Sequence, residues 1–163
     1  MRGRMAHDST AAAEFTEILL ATEFFANAPD GTLDLLAGTA VERQLVRNDI
    51  LFHEGDPPDS LYVVTAGRVA IAIANPIDKR ESVVALMEPG DLFGELGLLD
   101  DRPRSAQARA LQPSRVLAVP YGPVIEMFNS HPAMLWNVAR LLAQRLRAMD
   151  EALADSVFLD VTG

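Results

Sequence analysis

The chain has 163 residues, no cysteine and a formal net charge of −9 at pH 7. This length fits one domain with its own core, and the lack of cysteine excludes disulfides, thiolate zinc sites and cysteine-ligated iron–sulfur clusters. The acidic balance argues against nucleic-acid binding by this polypeptide, and no apolar run approaches the ~18–20 residues that span a bilayer.

The basic N-terminus at residues 1–5 is followed by no apolar signal core, so the sequence predicts a cytoplasmic protein.

Helices are predicted before the first strand. Apolar residues recur at helical spacing over 11–26 and over 32–40, and the Pro-Asp-Gly run at 29–31 breaks the chain between them. We assign these aromatic and leucine side chains to the core.

Between residues 41 and 120 the pattern changes to short runs rich in valine, isoleucine and alanine. Gly, Pro and Asp turns separate the runs at roughly 8–12-residue spacing, which is typical of a β-sandwich or a small jelly-roll barrel. There is no βαβ alternation, which argues against a Rossmann fold. The predicted strands are 41–46, 50–52, 61–64, 69–73, 82–87, a short run that enters residue 93, 107–111 and 116–119.

One stretch, residues 93–106 (the cradle), combines groups that suit an anion. Gly94 lets the backbone approach a ligand, and the free N–H groups of the helical turn after it favour negative charge. Arg104 offers a planar fork for a phosphate, with the hydroxyl and N–H of Ser105 beside it. Glu95 would repel a phosphate unless it binds ribose hydroxyls on one side and a guanidinium on the other. A carboxylate for sugar and a guanidinium for phosphate suit a cyclic nucleotide.

A short helix is predicted over 121–129 and a long one over 132–159, with Pro132 at the first helical position of the second. A helix of this length is ~40 Å long, more than a small β-domain covers, so part of its apolar stripe needs another helix. A second copy of the chain supplies one, which predicts a homodimer through 132–159. The stripe consists of Leu135, Val138, Leu142, Leu146, Met149, Leu153 and Val157.

No metal site and no catalytic residue are predicted. The three histidines, His7, His53 and His131, lie far apart in the sequence without paired ligand spacing. A metal-dependent enzyme with a cupin-type barrel needs clustered histidines, so this alternative is disfavoured.

The chain resembles the cyclic AMP receptor protein family, the Crp/Fnr transcription regulators, over essentially its whole length. The resemblance implies an α+β, mainly β fold: a double-stranded β-helix (jelly-roll) barrel over 41–120, with flanking short helices and a long C-terminal dimerisation helix. The matching motifs are Gly55-Asp56, Leu61-Tyr62, Gly67-Arg68-Val69, the Pro-Gly-Asp-Leu-Phe-Gly-Glu-Leu run at 89–96, Arg104-Ser105-Ala106 and the segment 154–163.

The resemblance implies roles for the cradle residues. Glu95 would bind the ribose 2′-hydroxyl, and Arg104 would pair with the cyclic phosphate. Ser105 and the backbone around Gly94 and Leu96 would complete the phosphate-binding cassette. The full set of predicted ligand-binding residues is Gly94, Glu95, Leu96, Arg104, Ser105, Ala106, Arg145, Met149 and Asp150.

Three of these residues lie on the long helix. Arg145 falls where the family has an arginine that helps hold the glutamate. Met149 and Asp150 fall where cyclic-AMP-responsive members carry small polar residues that touch the base, one from each subunit. An ionised carboxylate only accepts hydrogen bonds, which matches the two adjacent N–H donors of guanine better than adenine. Cyclic AMP is expected first from the resemblance, with cyclic GMP as the alternative.

The sequence therefore predicts a single cyclic-nucleotide-binding domain over 1–163 that senses a ligand and dimerises, with no enzymatic activity and no cofactor besides that ligand. The chain ends at Gly163, where the family's helix-turn-helix begins, so DNA binding is expected only of a longer parent. Two alternatives stay open. In the first, the domain is a dimerisation or interaction module with a degenerate pocket. In the second, its effector is a different small anion.

Overall fold

The structure is a computed structural model that describes the backbone of residues 2–162 and the side chains of residues 10–157. Residues 158–163, the end of the segment 154–163 that resembles the family, lie outside the described side chains. The helices are α1 Arg2–Leu20, α2 Asp34–Thr39, α3 Leu96–Asp100, α4 Tyr121–Ser130 and α5 Met134–Thr162. The strands are β1 Val41–Leu45, β2 Ile50–Phe52, β3 Ser60–Ala66, β4 Val69–Ala74, β5 Glu81–Met87, β6 Leu92–Phe93, β7 Gln107–Ala110 and β8 Ser114–Pro120.

The strands form two four-stranded sheets in which every pairing is antiparallel. The first sheet has the order β1-β8-β3-β6, and the second has the order β2-β7-β4-β5. Among the described residues no strand pairing joins the two sheets, so the predicted jelly-roll barrel is present as two facing sheets and is not closed. β6 has only two residues and offers the first sheet too short an edge to continue into the second. The predicted mainly β fold with flanking helices is confirmed.

Strand β3 of the first sheet is buried on both faces. Along β3, Leu61 and Val63 face a core shared with the helices, whereas Tyr62 and Val64 face the second sheet. Successive side chains of a strand point to opposite faces, so a strand covered on both sides reads as a continuous apolar run. Pairing of Ser60 with Pro120 brings the start of β3 beside the start of α4.

The first helix ends earlier than predicted. α1 stops at Leu20, because the Thr22 hydroxyl donates to the Leu19 carbonyl at 2.7 Å and offers the chain a local alternative to the helical ladder. The turn that follows brings Phe24 and Phe25 into the core together, with ring centroids 4.9 Å apart.

The long helix α5 leaves the domain after its first turns. Val138 is buried, and Leu141 and Leu142 pack partly against the core, but every residue from 143 to 157 is exposed. The prediction that only part of the apolar stripe packs on the domain is confirmed. The apolar residues of this exposed segment are Leu146, Met149, Leu153 and Val157, which are between 59% and 63% exposed. In the described part of the chain, no helix combines the length and the apolarity that crossing a bilayer requires.

Leu117→Ala tests the helix-facing core. Leu117 lies on β8 and is fully buried, so we expect its truncation to lower the free energy of unfolding by about 2–5 kcal/mol, through lost burial and the remaining cavity. The measurement is urea denaturation at one fixed protein concentration. Ile77→Ala is the control, since this side chain is 92% exposed, and its effect should stay within about 0.5 kcal/mol. Equal losses in the two variants would contradict the assignment of this core.

Candidate functional site

The cradle begins where β6 turns into α3. Gly94 has a φ of +81°, a conformation that side chains other than glycine rarely adopt. A Cβ atom built there would lie 2.9 Å from Nη1 of Arg104 and 3.3 Å from the Ser60 carbonyl oxygen. Glycine is therefore needed both for the turn and for the approach of the arginine.

A cavity of about 610 Å³ opens beside this turn. One part of its wall is apolar and comes from Phe52, Ile71, Met87 and Phe93. The other part is the cradle itself, closed by one residue from α5. Seven of the nine predicted ligand-binding residues line the cavity, namely Gly94, Glu95, Leu96, Arg104, Ser105, Ala106 and Arg145.

Arg104 is buried and hydrogen-bonded through its terminal nitrogens. Its side chain is only 5% exposed. Nη1 donates to the Gly94 carbonyl at 2.9 Å and to the Tyr121 hydroxyl at 3.2 Å, and Nη2 donates to the Ser60 carbonyl at 2.6 Å. Asp59 lies 3.6 Å from Nη2, but its side chain is 81% exposed, so solvent weakens this pairing. Backbone carbonyls and one hydroxyl, rather than a buried carboxylate, hold this guanidinium.

The guanidinium of Arg104 also lies over an aromatic ring. Its Cζ is 4.1 Å from the centroid of the Phe52 ring, a favourable cation–π distance. The Nε atom of Arg104 is buried and has no hydrogen-bond partner among the described residues. One donor of the cationic side chain that lines the cavity is thus unsatisfied.

Glu95 is the buried carboxylate of the site, and α5 supplies its partner. Nη1 of Arg145 lies 2.6 Å from Oε1 of Glu95, with side-chain exposures of 48% and 6% respectively. This ion pair ties the long helix to the cradle across 50 positions of sequence. It places Arg145 beside the glutamate, as the resemblance implies.

The remaining predicted residues differ in their access to the cavity. Ser105 is exposed and Ala106 is buried, and both line it. Met149 and Asp150 are exposed on α5, about one turn beyond Arg145, and do not line the cavity of this single chain. Their contact with a base stays a prediction.

Sequence reasoning missed part of the site. Phe52 and Met87 line the cavity, yet in the sequence they look like core residues of buried strands. Ser60 and Tyr121 contact Arg104 from 44 and 17 positions away, and no local motif marks them. Within the described residues, no group of three or more histidine, aspartate or glutamate side chains is arranged to hold a metal ion.

The unequal burial of the Glu95–Arg145 pair predicts unequal costs for its two single substitutions. Arg145→Gln leaves a buried carboxylate without its cation and should lower the free energy of unfolding by about 1–3 kcal/mol. Glu95→Gln leaves a half-exposed guanidinium that water solvates, so the loss should be under about 1 kcal/mol. Urea denaturation of both variants without ligand measures the difference. A larger loss for Glu95→Gln would contradict this account of the pair.

The comparisons with known proteins agree with this geometry. Residues 42–131, more than half of the chain, match the family model described as a cyclic nucleotide-binding domain. The CRP-like cAMP-activated global transcriptional regulator of Mycobacterium tuberculosis is 31% identical over 147 residues, which are 90% of this chain and 65% of that protein. The chain therefore spans slightly less than two thirds of this relative.

Solved structures show the same relationship. The N-terminal domain of a transcriptional regulator from Streptomyces coelicolor A3(2) gives a TM-score of 0.66 at 38% identity, covering 83% of this chain and 93% of that one. The Thermus thermophilus catabolite activator protein gives 0.70 at 32% identity, covering 81% of this chain and 62% of that one. From the family model, the identities and the shared fold, this chain belongs to the cyclic nucleotide-binding domain family, in the Crp/Fnr group of transcription regulators.

Proposed function

We propose that this chain is the effector-sensing and dimerisation part of a Crp/Fnr-type transcription regulator, and that its effector is a cyclic nucleotide, with cyclic AMP first. The observation that carries the proposal is that a buried carboxylate, Glu95, and a buried guanidinium, Arg104, line one cavity. The relative from Mycobacterium tuberculosis is named a cAMP-activated regulator, which supports this choice of nucleotide.

The chemistry of the cavity suits a ribose and a phosphate held in one ring system. Glu95 accepts a hydrogen bond from the ribose 2′-hydroxyl while Arg145 neutralises its charge. Arg104 and the exposed Ser105 hydroxyl bind the cyclic phosphate. The apolar wall that includes Phe52 and Met87 covers the uncharged faces of the ligand.

Arg104→Ala tests the phosphate assignment. We expect cyclic AMP binding to weaken by about 1.5–3 kcal/mol, because a charge-assisted hydrogen bond is lost. Arg104→Lys should restore binding only in part, since an ammonium lacks the planar fork. Titration calorimetry measures the affinities, and Arg115→Ala, which removes an exposed arginine on β8, is the control that should match the wild type. Unchanged affinity in both Arg104 variants would contradict the assignment.

The proposal includes a homodimer through the long helix, residues 132–159. Residues 143–157 of α5 are exposed in the single chain, although Arg145 pairs with Glu95, and their apolar stripe recurs at three- and four-residue spacing. A second α5 running alongside would cover that stripe, as in other two-fold helical pairs.

Leu153→Glu tests the helical pair. The wild type should be a dimer in light scattering at micromolar concentration without ligand, and the variant should shift toward monomer because a charge would be buried between the helices. Leu153 is 63% exposed in the single chain, so its replacement leaves the domain core intact. Gln144→Glu adds the same charge on another face of α5 and should stay dimeric. A monomeric wild type would contradict the dimer.

Asp150→Ser tests which base the site prefers. The carboxylate matches guanine, whereas a hydroxyl there would suit adenine, so we expect the substitution to move the ratio of the two cyclic nucleotide affinities by about 1 kcal/mol toward cyclic AMP. Calorimetric titrations with cyclic AMP and cyclic GMP measure the ratio before and after the change. An unmoved ratio would mean that Asp150 does not reach the base.

A different small anionic effector is the second candidate. Arg102 lines the cavity together with Arg104 and Arg145, so three cationic side chains surround the ligand space. A dimerisation module with a degenerate pocket is a weaker alternative, because Glu95 and Arg104 are both retained.

The proposal assigns no catalytic activity to the cavity and no specific DNA binding to this acidic polypeptide. It includes a cytoplasmic location, since that is where a transcription regulator meets its effector.

A further inference from the structure

Tyr121 lies behind Arg104 and contacts two groups of the cradle without lining the cavity. Its hydroxyl donates to the Gly94 carbonyl and accepts from Nη1 of Arg104 at 3.2 Å. Tyr121 is also the first residue of α4, and its backbone N–H donates to the Asp59 carbonyl at 3.0 Å. Side chain and backbone together fix this tyrosine against the phosphate arginine.

The direction of these hydrogen bonds follows from the hydroxyl itself. A tyrosine hydroxyl has one hydrogen. When that hydrogen is donated to the Gly94 carbonyl, the oxygen can only accept a hydrogen bond from Arg104. Burial raises the pKa of Tyr121, and the nearby Arg104 offsets this only in part, so the hydroxyl keeps its hydrogen at neutral pH. Gly97 leaves room for it, since a Cβ there would lie 3.2 Å from the Tyr121 oxygen and 2.3 Å from Cβ of Pro58.

The donors of Arg104 divide into two sets. Three of the four N–H donors on the terminal nitrogens have close protein acceptors, with Gly94 and Tyr121 on Nη1 and Ser60 on Nη2. The exposed Asp59 carboxylate lies 3.6 Å from Nη2. Nε is buried without a partner among the described residues. An unpaired buried N–H is costly, so the contacts of the terminal nitrogens must hold the guanidinium in place against this cost.

We propose that Tyr121 is a positioning residue for Arg104. Its hydroxyl and the carbonyls of Ser60 and Gly94 hold the terminal nitrogens of the guanidinium in a fixed position at the wall of the cavity. The ligand's identity in this inference rests on the proposed function, whereas the ordering of Arg104 is a property of the free protein.

Tyr62 provides a matched control. Its ring centroid lies 5.8 Å from Cζ of Arg104, and the Tyr121 ring lies at 5.9 Å. Both tyrosines are buried, and burial raises the pKa of both hydroxyls. Among the described residues, the hydrogen bonds of the Arg104 guanidinium go to Gly94, Tyr121 and Ser60, and the Tyr62 hydroxyl is not one of their acceptors. The Tyr→Phe substitution therefore makes the same chemical change beside the same cation, and only at Tyr121 does it remove a contact to it.

The experiment compares Tyr121→Phe and Tyr62→Phe with the wild type in two readouts. The first is the side-chain nitrogen NMR signal of Arg104 in the free protein, assigned by its absence from Arg104→Ala. The second is the affinity for cyclic AMP. We expect a wild-type guanidinium that rotates slowly, faster rotation in Tyr121→Phe, and about tenfold weaker binding in that variant. Tyr62→Phe should leave both readouts unchanged.

A double-mutant cycle separates positioning from general stability. In an Arg104→Ala background, Tyr121→Phe should cause no further loss of affinity, because the group it positions is already gone. A guanidinium that rotates freely in the wild type would overturn the proposal, as would equal effects of the two Tyr→Phe variants. A wild type that binds no cyclic nucleotide would contradict the proposed function, and the NMR readout in the free protein would still decide the positioning role.

Discussion

The hydrogen bonding of one buried cation, the guanidinium of Arg104, is the constraint on which the rest of the site depends. A charge with 5% exposure needs acceptors on all sides, and the protein supplies the carbonyls of Ser60 and Gly94 and the hydroxyl of Tyr121. These three groups belong to the start of β3, the turn after β6 and the start of α4. The arginine of the cradle is therefore held by distant parts of the chain as well as by the cradle itself.

The architecture explains how these parts meet. Register between β3 and β8 sets Ser60 opposite Pro120, which carries Tyr121 to the arginine. Pairing of β3 with β6 sets Tyr62 opposite Phe93, which delivers the Gly94 turn to the same place. A second connection runs through Glu95, whose partner Arg145 lies in the first exposed turn of α5. Ligand contacts at Glu95 are thus one ion pair away from the proposed dimer helix.

Much of this was predictable from local sequence. The strands follow from apolar runs between Gly and Pro turns, and the cradle follows from a glycine, a carboxylate, an arginine and a serine at short spacing. The contact of Arg145 with Glu95 was implied by family resemblance and by nothing in the helix pattern itself. Phe52 and Met87 could not be identified as cavity residues from the sequence, because apolar side chains of a core and of a pocket wall look alike in a sequence.

Other features depend on long-range geometry that spacing does not encode. Closure of a barrel depends on strand pairing at the sheet edges, where β6 is too short to extend the first sheet. The end of α1 depends on one hydroxyl, that of Thr22, which competes with the helix for a carbonyl. The burial of Arg104 depends on acceptors 10 to 44 positions away. The sequence therefore predicted a guanidinium that can bind a phosphate, but not that this guanidinium is buried.

The most direct test of the central claim is a calorimetric titration of the wild-type chain with cyclic AMP, cyclic GMP and linear AMP. In the proposed function Arg104 and Glu95 bind a phosphate tied back to its own ribose, so the account predicts saturable binding of a cyclic nucleotide. Linear AMP carries a second phosphate charge and a free phosphate arm, and it should bind at least about tenfold more weakly. No binding of either cyclic nucleotide, or linear AMP binding as tightly as cyclic AMP, would contradict the account.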